Sequence, residues 1–222
     1  MPVTEITPSP LRRTFSDSTW AIDKTFEFCY GHRVHTQVLD DRFSDNLLCA
    51  CRHLHGHEAK VQVFLEDTSL NPQGMVVDFR NTEWLKRFFN EHIDHQFIMD
   101  AHDPLLDHIL NTALAAGGSI TPEPVYLASA NSADTDKMFI GYKALFNGMS
   151  QALAEMFNGL LIVDFVPTSE YLSRWVHSLV NFKMEPLGVR CSRVDWWETP
   201  KSRSSYSGSD YNYSSAPTFK II

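Results

Sequence analysis

The sequence predicts an α+β protein in which helices pack on a β-sheet. Residues 60–65 alternate between polar and apolar side chains, which is typical of a half-buried strand. Residues 81–92 and 169–182 instead repeat apolar side chains at helical spacing. Both kinds of element are therefore present, and each helical stripe is expected to be buried against a sheet.

The strands and helices follow one another in a clear order. Residues 22–34 form a first strand, and a hairpin-like return through residues 35–50 places it beside the second strand. The helix over residues 81–92 follows. The helix over residues 169–182 begins at the capping residues Thr168, Ser169 and Glu170. A third strand follows over residues 188–197.

The composition describes an ordinary globular chain and excludes several classes of protein. The 222 residues are 43% hydrophobic and 21% charged, with a formal net charge of −8 that argues against a nucleic-acid partner. No apolar run approaches the length of a membrane helix. The four cysteines lack the spacing of a disulfide framework. We therefore expect a reducing, cytoplasmic compartment and no membrane partner.

A histidine-rich segment leads into the second strand. Side chains two residues apart on a strand share a face, so His55 and His57 present two imidazoles side by side, as a chelating pair does. A solvated strand face or a polar network would give the same pattern, and a catalytic zinc usually takes three protein ligands. His32, at the end of the first strand, supplies a third imidazole if the two strands are neighbours.

Six pieces of the sequence, in this order, resemble the 6-pyruvoyltetrahydropterin synthase and 6-carboxytetrahydropterin synthase family. They are Phe28-x-x-x-His32-Arg33, Cys51-x-x-x-His55-Gly56-His57, residues 74–79, Ile93-Asp94-His95, residues 167–170 and residues 194–200.

The resemblance implies the tunnelling fold, or T-fold, in which an antiparallel sheet carries two helices on one face. The catalytic domain would span residues 21–206, with a flexible arm at 1–20 and a flexible tail at 207–222. The family's closing strand would fall between residues 201 and 213. The family also assembles as homohexamers, dimers of trimers with active sites shared between subunits.

The segment from about residue 104 to 166 is the clearest departure from the shorter members of the family. Its apolar patterning predicts a folded insertion, with a strand at 124–130, a helix at 142–157 and an apolar run at 160–163. Covering the site, extending a subunit interface and decorating the rim are all open roles for it.

The resemblance also implies the site residues. His32, His55 and His57 would hold Zn²⁺, and Cys51 would be the catalytic acid/base, with its thiolate stabilised near the metal. Asp94 and His95 would relay protons with Cys51, although alone they read as a solvated helix end. Glu198, with Thr199 beside it, would bind the amino-pyrimidine edge of a pterin.

The remaining cysteine and histidine residues near these motifs have no match in the family. Cys49 is interpreted as structural, and the expected surface groups are His92, His102, His108 and His177.

The implied reaction converts 7,8-dihydroneopterin triphosphate to 6-carboxy-5,6,7,8-tetrahydropterin, releasing acetaldehyde and triphosphate, on the route to queuosine and other 7-deazapurines. The four-residue step from Cys51 to His55 resembles the carboxy-forming branch. Two alternatives remain open, a 6-pyruvoyltetrahydropterin synthase and a catalytically silent pterin-binding T-fold protein. Tyr30 and Gly31 stand where the family usually has two alanines, which affects the expected shape of the pocket.

Overall fold

The computed structural model describes residues 19–130 and 136–208. Most of the predicted N-terminal arm and most of the predicted C-terminal tail lie outside these residues. The strands are β1 (Trp20–His32), β2 (His55–Asp67), β3 (Gln96–Asp100), β4 (Ser119–Ala128), β5 (Lys137–Asn147), β6 (Leu160–Val163), β7 (Arg190–Thr199) and β8 (Ser202–Tyr206). The helices are α1 (Glu83–His92), α2 (Pro104–Ala115), α3 (Gln151–Phe157) and α4 (Ser169–Met184).

All eight described strands form one sheet in the order β4-β5-β6-β3-β1-β2-β7-β8. Strands β1, β2, β7 and β8 are antiparallel neighbours, as the sequence predicted. Strand β3 instead runs parallel to β1 and to β6. Through β6, the strands of the insertion continue the sheet beyond β3, so the insertion extends the main sheet instead of forming a separate layer.

The two predicted helices cover one face of this sheet. The main core combines Phe26 and Phe28 of β1 with Val61 and Val63 of β2, and the buried sides of α1 and α4 pack against them. The Thr168 hydroxyl accepts a hydrogen bond from the amide of Tyr171 and begins α4, as predicted. Helix α1 begins after a 3₁₀ turn, two residues later than its apolar stripe indicated.

The structure corrects one element predicted inside the insertion. The helix expected over residues 142–157 is wrong in its first half, because residues 137–147 form β5 and the helix α3 begins only at residue 151. Ala144 and Phe146 are buried while Leu145 is exposed, so the apolar side chains alternate with a strand's period. Gly148, with a φ of +73°, then turns the chain.

A second core lies on the other face of the sheet. It joins Leu106 and Leu110 of α2 to Phe146 of β5 and to Leu160 and Ile162 of β6. Helix α2 was not predicted, although Asp103 caps it and Pro104 occupies its first turn. No helix within the described residues is long and apolar enough to cross a membrane.

Candidate metal centre and active site

The pairing of β1 with β2 brings the three predicted histidines together. His32 lies directly opposite His55, and Tyr30 lies opposite His57, so these side chains share one face. One nitrogen from each of the three imidazoles lies within 4.8 Å of the other two. The three residues therefore form a group that could hold a metal ion, and we refer to it as the histidine cluster.

Backbone carbonyls orient two of these imidazoles. His32 Nδ1 lies 2.6 Å from the carbonyl oxygen of Pro167, and His55 Nδ1 lies 2.8 Å from that of His53. In each case the Nδ1–H donates the hydrogen bond, which leaves Nε2 to face the cluster. The carbonyl of His53, just before β2, thus orients the imidazole of His55.

Burial lowers the pKa of two members of the histidine cluster, His32 and His57. Desolvation lowers the pKa of His32 to about 4, and the neighbouring His55 and His57 lower it further while the Pro167 carbonyl opposes them. Burial also lowers the pKa of His57, with His55 as the second cause. A neutral imidazole is the form that binds a metal, so the lowered pKa values of His32 and His57 favour metal binding.

Glu198 reaches the histidine cluster from β7. Its Oε1 lies 3.7 Å from His32 Nε2, and burial followed by the charge of Glu170 raises the pKa of this carboxyl group. Thr199 follows it, and the Thr199 hydroxyl accepts a hydrogen bond from the amide of Lys201. The structure therefore brings Glu198 to the cluster, while the hydroxyl of Thr199 organises the turn after β7.

Cys51 lies in a 3₁₀ turn just before β2, beside a second thiol. The sulfur atoms of Cys49 and Cys51 are 3.3 Å apart, and the Cys51 amide lies 3.5 Å from the Cys49 sulfur. Burial, and then the bond to Cys49, raise the pKa of Cys51, whereas the Cys51 amide lowers the pKa of Cys49. Burial is the largest cause of the raised pKa of Cys51, and stabilisation of its thiolate by a bound metal stays a prediction.

Asp94 and His95 form the predicted pair with each other. His95 Nδ1 is 2.9 Å from Asp94 Oδ1, and the same oxygen accepts a hydrogen bond from the amide of Cys29. The His95 side chain is 81% exposed, and its backbone has a φ of +59°. No hydrogen bond or ion pair within residues 19–130 and 136–208 joins either residue to Cys51.

A groove of about 920 Å³ runs between the histidine cluster and His95. His55 and His57 line it at one end, and His95 lines it together with Phe97 of β3. The insertion supplies an apolar wall, consisting of Leu105, Ile109, Phe157 and Leu160. Of the three roles left open for the insertion, this placement favours covering the site.

An ion pair and a histidine–carboxylate hydrogen bond near the site were missed by sequence reasoning. Arg33 Nε lies 3.0 Å from Asp103 Oδ2, and His35 Nε2 lies 2.9 Å from Asp100 Oδ2. Both contacts hold the segment after β1 close to the end of β3 and the start of α2. Only the match of Arg33 to the first motif pointed to this region, because partners separated by about 65 to 70 residues give no local pattern.

The expectation that His177 is a surface group is wrong. Its side chain is completely buried in α4, where Asn181 contacts it and in turn accepts a hydrogen bond from the amide of Cys191. His102 and His108 are exposed, as expected, and His92 is partly buried.

Comparison with known proteins decides the family. The sequence model of the 6-pyruvoyl tetrahydropterin synthase family matches residues 21–209. The chain belongs to this family. It is accordingly an enzyme of the family's lyase class, and its fold is the family's T-fold enlarged by the insertion.

Three relatives illustrate the range of similarity. A 6-carboxy-5,6,7,8-tetrahydropterin synthase from Aquifex aeolicus (strain VF5) is 27% identical over 84% of this chain and 97% of that protein. The crystal structure of an uncharacterised protein from Wolinella succinogenes is 37% identical, covers 86% of this chain and 99% of that one, and superposes with a TM-score of 0.69. The 6-pyruvoyl tetrahydropterin synthase of Caenorhabditis elegans is 19% identical, with a TM-score of 0.47 and coverage of 86% and 97%.

Proposed function

We propose that the protein is a zinc-dependent 6-carboxytetrahydropterin synthase, which converts 7,8-dihydroneopterin triphosphate to 6-carboxy-5,6,7,8-tetrahydropterin, acetaldehyde and triphosphate. The observation that carries this proposal is the meeting of three histidine side chains with the Glu198 carboxyl group, in a member of this family. The name of the Aquifex relative and the short step from Cys51 to His55 support the carboxy-forming branch.

The donor set fits zinc. Three imidazoles whose nitrogens converge, two of them oriented through Nδ1 by backbone carbonyls, are typical of a catalytic zinc site that keeps one position open. When bound by His32, His55 and His57, zinc would supply the positive charge that acidifies the side-chain hydroxyl groups of the substrate. Burial of His32 would keep competing water away from that face of the cluster.

Glu198 is proposed to hold the pterin ring. Its two carboxylate oxygens can accept paired hydrogen bonds from the amino-pyrimidine edge, which fixes the orientation of the ring beside the histidine cluster. We propose that Thr199, at the end of β7, also takes part in binding the pterin. The half-buried Glu198 carboxylate is favourable for binding the pterin, because hydrogen bonds to charged groups are stronger than those between neutral groups.

Proton transfer is proposed for Cys51 and the Asp94–His95 pair. The raised pKa of Cys51 means that it rests as a thiol and first acts as a proton donor. His95 is exposed and Asp94 orients its ring, which suits a group that completes a site in a neighbouring copy of the chain. We therefore propose a homohexamer, a dimer of trimers, in which one subunit contributes Cys51 and the next contributes His95.

The decisive experiment incubates the purified, zinc-loaded protein with 7,8-dihydroneopterin triphosphate, reads the pterin product by mass spectrometry and assays acetaldehyde. The proposal expects 6-carboxytetrahydropterin with an equal amount of acetaldehyde, and loss of both after the metal is removed by a chelator and dialysis. A 6-pyruvoyl product without acetaldehyde would move the protein to the sister activity. Bound zinc with unchanged substrate would instead support a binding role.

A further inference from the structure

Two thiols lie side by side in the turn before β2, and only one of them has a part in the chemistry proposed above. The sulfur atoms of Cys49 and Cys51 are 3.3 Å apart, and both side chains are partly exposed. Within the described residues, Cys191 is buried and no hydrogen bond joins the exposed Cys29 to another thiol. Cys49 and Cys51 are therefore the two cysteines that are placed to react with each other.

The backbone of the turn holds these two sulfur atoms together. Cys49 precedes the 3₁₀ turn over residues 50–52, and its carbonyl accepts a hydrogen bond of 3.1 Å from the amide of Arg52. The carbonyl of Cys51 accepts another, of 2.8 Å, from the amide of Val34. A disulfide needs about 2 Å between its sulfur atoms, so the pair has to close by only about 1 Å.

The surroundings favour Cys49 as the first of the two thiols to react. The amide of Cys51 lies 3.5 Å from the Cys49 sulfur and donates a hydrogen bond to it. Such a bond stabilises a thiolate, which is the form of cysteine that reacts with an oxidant. Cys51 is then in contact with the oxidised sulfur, as the second thiol of a disulfide-forming pair must be.

We propose that Cys49 and Cys51 are an oxidation site, at which hydrogen peroxide converts the two thiols to a disulfide that switches the enzyme off until a thiol reductant reopens it. The Cys49 sulfur attacks the peroxide, the O–O bond breaks, and a sulfenic acid and one water are formed. The Cys51 sulfur then attacks the Cys49 sulfur, the S–O bond breaks, and the hydroxyl leaves with the Cys51 proton as a second water. The two thiols lose two electrons, which reduce the peroxide.

The disulfide would remove the proton that Cys51 is proposed to carry. This effect on turnover rests on the proposed function, whereas formation of the bond does not. The histidine cluster uses neither sulfur, so zinc is expected to stay bound. A bond across a single intervening residue closes a very short loop and adds little stability, and partly exposed sulfurs are open to a reductant, so the oxidation is reversible.

The test treats the reduced, zinc-loaded protein with increasing amounts of hydrogen peroxide, alkylates the remaining thiols and maps the peptides by mass spectrometry. We expect a peptide in which Cys49 and Cys51 are both unalkylated and which has lost two hydrogen atoms. Turnover of 7,8-dihydroneopterin triphosphate should fall in step with this peptide, to the level of Cys51→Ala, while zinc content stays unchanged. Dithiothreitol should reverse both changes.

Two variants serve as controls for this experiment. Cys49→Ala cannot form the disulfide, so the amount of peroxide that oxidises the wild-type pair should leave its Cys51 open to alkylation and most of its turnover intact. Cys29→Ala lacks an exposed thiol outside the pair, and it should respond to peroxide as the wild-type protein does.

The outcomes separate the oxidation site from the proposed function. Alkylation of both Cys49 and Cys51 after an amount of peroxide that oxidises free cysteine would overturn the inference. Full turnover of the oxidised pair would also overturn it, as would an equal loss of turnover in Cys49→Ala, because Cys51 would then be oxidised without a partner. If the reduced wild-type protein has no turnover, the proposed function is wrong, and the peptide map alone decides whether the disulfide forms.

Discussion

Among single residues, the two neighbouring thiols are predicted to differ sharply in function. Cys51→Ala is expected to keep the wild-type zinc content, because the histidine cluster does not use its sulfur, and to lose turnover by roughly 10²-fold or more. Cys49→Ala is the matched control, since its sulfur lies 3.3 Å away, and it should retain most of the activity. The reverse pattern, measured by product formation and metal analysis, would move the proton carrier to Cys49.

His177 is predicted to make the stability of the protein depend on pH. Burial lowers its pKa, so the unfolded chain binds a proton more readily than the folded chain does. The free energy of unfolding should therefore be highest above about pH 6.5 and should decrease as the pH falls below that value. Urea unfolding of the metal-free protein at pH 7 and 5 measures this decrease.

The control for this pH effect is a histidine in an exposed position. The decrease should become smaller in His177→Asn and stay unchanged in His108→Asn, because His108 is exposed on α2. Equal slopes in all three proteins would show that His177 does not cause the dependence.

At the scale of elements, the junction of β1 with β3 is predicted to tolerate only glycine at position 31. A Cβ on Gly31 would lie 2.5 Å from the ring of Phe97, its partner across the parallel pair. Gly31→Ala should lower the free energy of unfolding by about 1 to 3 kcal/mol. Gly159→Ala is the control, since its added Cβ would meet only ordinary contacts.

A double-mutant cycle tests the cause of that loss. If the clash with the ring is responsible, Gly31→Ala should cost clearly less in a Phe97→Ala background than in the wild-type protein. Additive losses in denaturant unfolding would mean that the strand junction, and not the Phe97 ring, requires glycine.

For the molecule as a whole, we expect active sites that are shared between chains, since no hydrogen bond or ion pair within the described residues joins Cys51 to His95. Cys51→Ala and His95→Asn should each be inactive alone. When equal amounts are dissociated and reassembled together, about a quarter of the sites should regain both residues, since each subunit contributes one of them. If the mixture stays inactive while reassembled wild-type protein recovers its activity, each chain uses its own two residues.

The sequence by itself determined the antiparallel strands, the two covering helices and the histidine cluster. These features follow from local periodicity and from the pairing of neighbouring strands, which places His32 opposite His55. Glu198, which the motif order gave as the pterin-binding residue, lies beside the cluster, and its role stays a prediction.

Other features of the protein could not be predicted, because they depend on tertiary contacts. Strand β3 runs parallel to its neighbours, the insertion extends the sheet, and His177 is buried. Each of these features depends on contacts between residues far apart in the chain. The segment that forms β5 was predicted as a helix. A short apolar run fits the period of a strand and that of a helix, and only its packing partners in the fold distinguish the two. The raised pKa of Cys51 has the same origin, since desolvation depends on the packing around a group and not on its neighbours in sequence.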